Sequence, residues 1–134
     1  MTDSAETSGA ASVVVVGYSA KPEGRAALAR AVRIARVNGA KIVIVHTSAE
    51  DEVSDVHAQM EPTGLTYEIH QAPDAHDPAE ELIKVSESAA DSMIVIGLRR
   101  RSPVGKLLLG SNAQRVLLDA SCPVLAVKAE ESRA

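Results

Sequence analysis

Residues 13–45 read VVVVGYSAKPEGRAALARAVRIARVNGAKIVIV, in which two apolar runs flank a segment whose apolar residues have helical spacing. The runs Val13–Val16 and Ile42–Val45 are apolar throughout and rich in β-branched residues, which is typical of strands covered on both faces. Between them, Pro22 stands at an early helical position and Asn38-Gly39 ends the helical pattern. This stretch therefore predicts a strand–helix–strand unit.

The same alternation continues to the end of the chain. Three further runs predict strands: Leu65 to Ile69, Met93–Ile96 and Val124–Val127. Only the first of these clearly alternates apolar and polar residues, so we expect it at an edge of the sheet. The predicted fold class is α/β, with a doubly wound, five-stranded parallel sheet of order 3-2-1-4-5 and helices on both faces.

The connections between the runs carry helix signals. Asp77-Pro78-Ala79-Glu80 and Ser111-Asn112-Ala113-Gln114 both resemble capping boxes, and Asp51 to Met60 has apolar residues at helical spacing. A strand order of 3-2-1-4-5 places the topological switch between strands 1 and 4, where a crevice opens at their carboxyl ends. The loops Gly17 to Lys21 and Gly97 to Ser111 border that crevice, so function is expected there.

Composition limits the possible partners. The chain has 134 residues, which is typical of one domain, and a net charge of −4. It has two tyrosines, no phenylalanine and no tryptophan, so it lacks the aromatic platforms on which single-stranded nucleic acid stacks. Without a clustered basic face it is also poorly suited to neutralising a phosphate backbone. Nucleic acid is therefore not an expected partner.

The termini and the single cysteine suggest a cytoplasmic protein. Cys122 cannot form an internal disulfide, and no apolar run approaches the roughly 20 residues that a membrane span needs. Met1 to Ala11 is polar, with neither the positive start nor the apolar core of a secretory signal. We expect a disordered leader at residues 1–11, one domain at 12–129, a tail at 130–134, and no membrane association.

The second loop carries the most specific pattern. Gly97-Leu98-Arg99-Arg100 is followed by nine residues and then by Gly110-Ser111. Glycine directly after a buried strand allows a ligand to approach the backbone. A helix that begins near Gly110-Ser111 offers backbone N–H groups and the positive end of its dipole, which suits a phosphate.

This pattern resembles the ATP-binding signature of universal stress proteins, Gly-x2-Gly-x9-Gly-Ser/Thr. Gly110 to Leu117 and Cys122 to Val127 are similar to the family's C-terminal block, and Val14 to Tyr18 resembles its first strand. The resemblance covers about residues 12 to 128. It implies a module of stress response or dormancy that binds an adenine nucleotide (ATP, ADP or AMP), with ATP and Mg²⁺ as the expected cofactor.

The resemblance also implies a set of nucleotide-binding residues around the crevice. They are Gly17, Tyr18, Ser19, Val45, Gly97, Arg99, Arg100, Gly110, Ser111 and Asn112. Two of them depart from the family pattern. Ser19 stands where the family has aspartate. Replacing a charged hydrogen-bond acceptor by a neutral one weakens ligand binding by about 1 kcal/mol. Arg100 replaces the second glycine, which costs about 1–2 kcal/mol if the backbone there has a positive φ. Its guanidinium group could instead hold phosphate oxygens.

These residues are compatible with two functions of different classes. The leading hypothesis is a nucleotide-binding module, and the alternative is a nucleotide-free dimeric interaction module with a degenerate ATP site. An enzyme is not expected, because the chain has neither a Ser/His/Asp set nor a metal-binding cluster nor a P-loop lysine. We therefore predict no catalytic residues and no metal ligands.

The last predicted strand bears on assembly. Val124–Val127 is expected at the edge of the sheet, yet it is apolar on both sides, and such edges are usually covered or paired. The resemblance also implies pairing of this strand with its own copy. We predict a homodimer centred on Pro123 to Lys128.

Overall fold

Strands and helices alternate along the chain, as the sequence predicts. The computed structural model describes residues 12–46, 50–72, 78–100, 107–108 and 111–129, with the backbone alone at 50–52, 99–100 and 107–108. The strands in these residues are β1 (Val13–Gly17), β2 (Lys41–His46), β3 (Tyr67–Gln71), β4 (Ser92–Arg100), β5 (Leu107–Leu108) and β6 (Val124–Lys128). The helices are α1 (Pro22–Asn38), α2 (Glu50–Met60), α3 (Pro78–Glu87) and α4 (Ser111–Asp119), and a 3₁₀ turn (Glu61–Thr63) follows α2.

The parallel sheet has the predicted topology. β1 lies at its centre and pairs with β2 on one side and β4 on the other. β2 also pairs with β3, and β4 also pairs with β6. The spatial order is therefore β3-β2-β1-β4-β6, which is the predicted order 3-2-1-4-5 with the short strand β5 left out of the count. The predicted fold class is confirmed.

The end of the fourth strand differs from the prediction. The apolar pattern places it at Met93–Ile96, with a loop from Gly97 onward, whereas β4 continues to Arg100. Backbone pairing explains the extension, because Gly97 and Leu98 are in register with β6, and Arg99 and Arg100 pair in an antiparallel manner with β5. Side-chain hydropathy carries no signal for such pairing.

The edge strand β3 is also shifted from its predicted position. It begins at Tyr67 rather than Leu65, because its ladder with β2 starts where Tyr67 pairs with Ile42. Gly64 precedes it with a φ of 72°, a left-handed conformation that closes the 3₁₀ turn. Leu65 packs against the core although it lies outside the strand.

The four-valine run is apolar at every position because the sheet separates two cores. Val14 and Val16 face the core formed with α1 and α2, whereas Val15 faces the core formed with α3 and α4. β2 repeats this alternation, with Ile42 and Ile44 in the first core and with Val43 and Val45 in the second.

Helix α1 packs against the sheet through small residues. It begins at Pro22 and is ended by Gly39, whose φ is 67°, and both signals were predicted. Its buried face is Gly24, Ala27, Leu28, Ala31 and Ala35. Because four of these five side chains are no larger than a methyl group, the helix axis can lie close to the strands.

The predicted leader (residues 1–11) and tail (residues 130–134) lie outside the described residues, so these boundaries stay predictions. In the part of the chain that the structure describes, no helix combines the length and apolar character that a membrane crossing requires.

Candidate functional site

A cleft of about 200 Å³ opens at the carboxyl ends of β1 and β4. This is the predicted topological switch, where the chain leaves neighbouring strands toward opposite faces of the sheet. Its walls come from the β1–α1 connection, the ends of β2 and β4, and the first turns of α1, α3 and α4. The described lining residues are Gly17, Tyr18, Ser19, Glu23, Gly24, Val45, Pro78, Leu82, Ile96, Gly97, Asn112, Ala113 and Val116.

Six of the ten predicted site residues line this cleft together. They are Gly17, Tyr18, Ser19, Val45, Gly97 and Asn112. Ser111 is exposed at the first position of α4, outside the described lining. Arg99 and Arg100 are described by their backbone in β4, and Gly110 lies outside the described residues.

Backbone strain at Arg100 is expected only if φ is positive there, and that condition is not met. Arg100 lies in extended β4 and pairs with Leu107. Among the described residues, positive φ angles occur at Gly39 and Gly64 alone. Arginine therefore replaces the signature's second glycine without the left-handed conformation that would penalise a side chain.

Gly24 allows the first turn of α1 to close over Ser19. A Cβ atom built on Gly24 would lie 2.5 Å from the Ser19 Oγ and would overlap its backbone N and O atoms. The Ser19 Oγ accepts a hydrogen bond of 3.3 Å from the Lys21 N–H, one of the first backbone donors at the start of α1. Ser19 is thus part of the helix start as well as of the cleft wall.

Gly97 allows a similar close contact on the other side of the cleft. A Cβ atom built there would overlap the Glu23 carbonyl oxygen and would lie 2.6 Å from its carbonyl carbon and 3.0 Å from its Cβ. Sequence reasoning assigned the close approach at Gly97 to a ligand. The structure shows that the first turn of α1 also requires it, and this contact brings Glu23, which was not predicted, into the cleft.

A polar cluster fixes Tyr18 from outside the cleft. Its hydroxyl donates to the Asp55 Oδ2 and accepts a 3.0 Å hydrogen bond from the Gln59 Nε2. Asp55 also forms a 3.1 Å ion pair with Arg25, whose Nε donates to the Ala20 carbonyl oxygen. The cluster therefore joins α2, α1 and the β1–α1 connection.

The pKa of Tyr18 follows from these surroundings. Burial, together with the hydrogen bond to Asp55, raises the pKa of the Tyr18 hydroxyl to about 12. This hydroxyl is therefore a neutral donor at physiological pH and not a base. Sequence reasoning missed its partners Asp55 and Gln59. Their spacing of four residues on a predicted helix places both on one face, which was the available signal.

The sequence-based prediction of no metal ligands stays a prediction. Within residues that the structure describes, no group of three or more His, Cys, Asp or Glu side chains is placed to hold a metal ion. What the cleft offers is a helix start at α4, exposed backbone at β1 and β4, and apolar walls, a combination suited to a small organic anion.

The fold and cleft thus define an α/β protein with a candidate ligand site at its switch point. Residues 11–128 match the universal stress protein family, and the chain belongs to this family. A universal stress protein of Mycolicibacterium smegmatis is 42% identical over 127 residues, which cover 87% of this chain and 97% of that protein.

Solved structures agree on the fold. A universal stress protein from Archaeoglobus fulgidus superposes with a TM-score of 0.68 at 27% identity, over 87% of this chain and 97% of that one. A universal stress protein in complex with cAMP superposes with a TM-score of 0.70 at 21% identity, over 91% of this chain and 100% of that one. The universal stress protein from Archaeoglobus fulgidus in complex with dAMP superposes with a TM-score of 0.63 at 22% identity, over 87% of this chain and 96% of that one.

The close packing at Gly97 generates a stability prediction. Gly97→Ala should lower the free energy of unfolding by about 2–3 kcal/mol, because the methyl group would overlap the backbone of α1. Gly17→Ala is the matched control, since its methyl group would meet side chains and no backbone, with Leu82 at 3.2 Å and Ile96 at 3.9 Å. We expect the control to lose less than about 1 kcal/mol. Urea denaturation followed by far-UV circular dichroism measures both, and equal losses would contradict this account.

Proposed function

We propose that this protein binds an adenine nucleotide (AMP, ADP or ATP) in the cleft between β1 and β4. The observation that carries the proposal is the convergence of six expected residues, from three strand ends and the first turn of α4, on one cleft. Family membership and the complexes of two structural neighbours with cAMP and dAMP support it.

The cleft has a different chemistry at each end. Asn112 and Ala113 lie in the first turn of α4, where backbone N–H groups and the helix dipole favour a phosphate. Val45, Pro78 and Leu82 form an apolar wall suited to a purine base. We therefore propose that the phosphates bind at α4 and that the base lies on the side of β2.

We propose ATP with Mg²⁺ as one physiological ligand. The described residues provide no ligand cluster for the metal, so Mg²⁺ would enter on the phosphates of the nucleotide. The chain's part is then to bind the phosphates through α4 and to orient the nucleoside. We further propose that nucleotide binding serves stress response or dormancy in the cytoplasm, for which family membership is the support.

Isothermal titration with AMP, ADP and ATP, each with and without Mg²⁺, tests this function. Asn112→Asp adds a negative charge at the proposed phosphate end, so it should weaken ATP binding about 10-fold. Gln114→Glu makes the same charge change in the same helical turn, but about 200° around the helix from Asn112 and outside the described lining, so it should weaken binding clearly less than Asn112→Asp. Absence of binding at millimolar nucleotide would overturn the proposal in favour of the nucleotide-free interaction module.

We also propose a homodimer formed through β6. Val124–Val127 are half-buried, and β6 pairs with β4 on one side. The Ile94 N–H donates to the Pro123 carbonyl oxygen, and the Ala129 N–H donates to the Leu98 carbonyl oxygen. Because the hydrogen-bonding direction alternates along a strand, the N–H groups of Val124 and Ala126 point away from β4, where a second copy could pair.

Light scattering at tens of micromolar protein should therefore give a dimer mass. Ala126→Pro removes an N–H that β4 does not use and should shift the protein to a monomer. Gln71→Pro, at the matching outward position of the opposite edge strand β3, is the control and should leave the dimer intact. A monomeric parent protein, or a dimer that survives Ala126→Pro, would refute β6 pairing.

Finally, we propose that the protein is not an enzyme. Two observations support this: the Tyr18 hydroxyl, with its pKa near 12, is no base, and the Ser19 Oγ contact is with the backbone N–H of Lys21, which is no general base. With ATP and Mg²⁺, the purified protein should release phosphate no faster than buffer. Steady release that Glu23→Gln abolishes would show that the cleft is catalytic after all.

A further inference from the structure

Glu23 is the single charged residue among the described residues that line the cleft. It lies in the first turn of α1, where the helix dipole favours a carboxylate. Its position is fixed by packing, because its backbone rests against Gly97 and a Cβ atom built on Gly97 would lie 3.0 Å from its own Cβ. The cleft therefore holds a carboxylate at the point where α1 meets β4.

A carboxylate beside an anionic ligand restricts how that ligand can lie. It repels phosphate groups and accepts hydrogen bonds from hydroxyl or amino groups. The phosphate end of the cleft is at Asn112 and the apolar wall is at Val45, which belong to α4 and β2. The sugar links phosphate and base, so it must lie between these ends, over β1 and β4, where Glu23 is located.

The Ser19 Oγ cannot accept hydrogen bonds from both sugar hydroxyl groups. Its Oγ already accepts the Lys21 N–H at 3.3 Å, which leaves one lone pair and one donor for a ligand. A carboxylate has about four acceptor positions, so Glu23 can keep an interaction within the protein and still accept from both hydroxyl groups. Its hydrogen bonds are also roughly twice as strong as those of a neutral partner. Glu23 is the better acceptor of the two.

We propose that Glu23 is the specificity-determining residue of the cleft and that it binds the 2′- and 3′-hydroxyl groups of the ribose. This assignment rests on the proposed nucleotide binding and adds the sugar to what the site recognises. The protein then selects ribonucleotides over nucleotides that lack these hydroxyls.

The test compares AMP with 2′,3′-dideoxy-AMP, which have the same base and phosphate. The unmodified protein should bind AMP about 10- to 100-fold more tightly, the range expected for hydrogen bonds to a charged acceptor. Glu23→Gln should reduce this ratio to about 3-fold or less, since a neutral amide is a weaker acceptor. Because AMP and 2′,3′-dideoxy-AMP carry the same phosphate, the ratio of their affinities cancels any general effect of protein charge on phosphate binding.

Glu87→Gln is the matched control. Glu87 is exposed at the last position of α3, five residues beyond the cleft residue Leu82, and it carries the same charge change. Its ratio should equal that of the unmodified protein. Ser19→Asp in the Glu23→Gln background should restore part of the discrimination, because it returns a carboxylate to the same side of the cleft.

The outcomes separate the two proposals. Equal affinity of the unmodified protein for both ligands, or a ratio unchanged by Glu23→Gln, overturns the assignment of Glu23 and leaves nucleotide binding standing. Absence of AMP binding by the unmodified protein overturns both. Thermal denaturation of Glu23→Gln shows that any change in the ratio occurs in a folded protein.

Discussion

The contact between the first turn of α1 and the end of β4 determines the geometry of the cleft. The Glu23 backbone lies where the side chain of any residue at position 97 would be, and Ser19 lies where a side chain at position 24 would be. Protein interiors are packed too tightly for such overlaps to be relieved without moving a main-chain segment. Two glycines thus allow the first turn of α1 to pack against β4 and against the β1–α1 connection at the switch point.

The rest of the fold supports that contact from two sides. The valine side chains of β1 are buried in cores on both faces of the sheet. The strand therefore cannot tilt toward either core without exposing apolar surface. The Tyr18 N–H donates to the Val45 carbonyl oxygen and continues the pairing of β1 with β2 past the end of the strand. Asp55 and Gln59 then hold the Tyr18 hydroxyl from α2. The floor of the cleft is therefore built from hydrogen-bonded backbone and buried side chains.

Sequence patterns predict the strand order and the location of the cleft because both follow from where buried runs begin and end. They place Gly97 correctly but not its packing partner, since contact between Glu23 and residue 97 depends on the angle at which α1 crosses the sheet. They end β4 too early, because the pairing of Arg99 and Arg100 with β5 is a backbone interaction. Asp55 was missed for a related reason: its role depends on α2 returning toward β1, and hydropathy does not encode that direction.

The separation of structural and ligand-facing groups explains how this chain can carry serine and arginine at two signature positions. Arg100 lies in extended backbone, so arginine at this position avoids the cost of a left-handed conformation. Ser19 keeps its structural task through Oγ, which accepts the Lys21 N–H as any small hydrogen-bonding side chain could. What the substitution removes is negative charge on one wall of the cleft. Glu23, in the first turn of α1, still places a negative charge in the cleft.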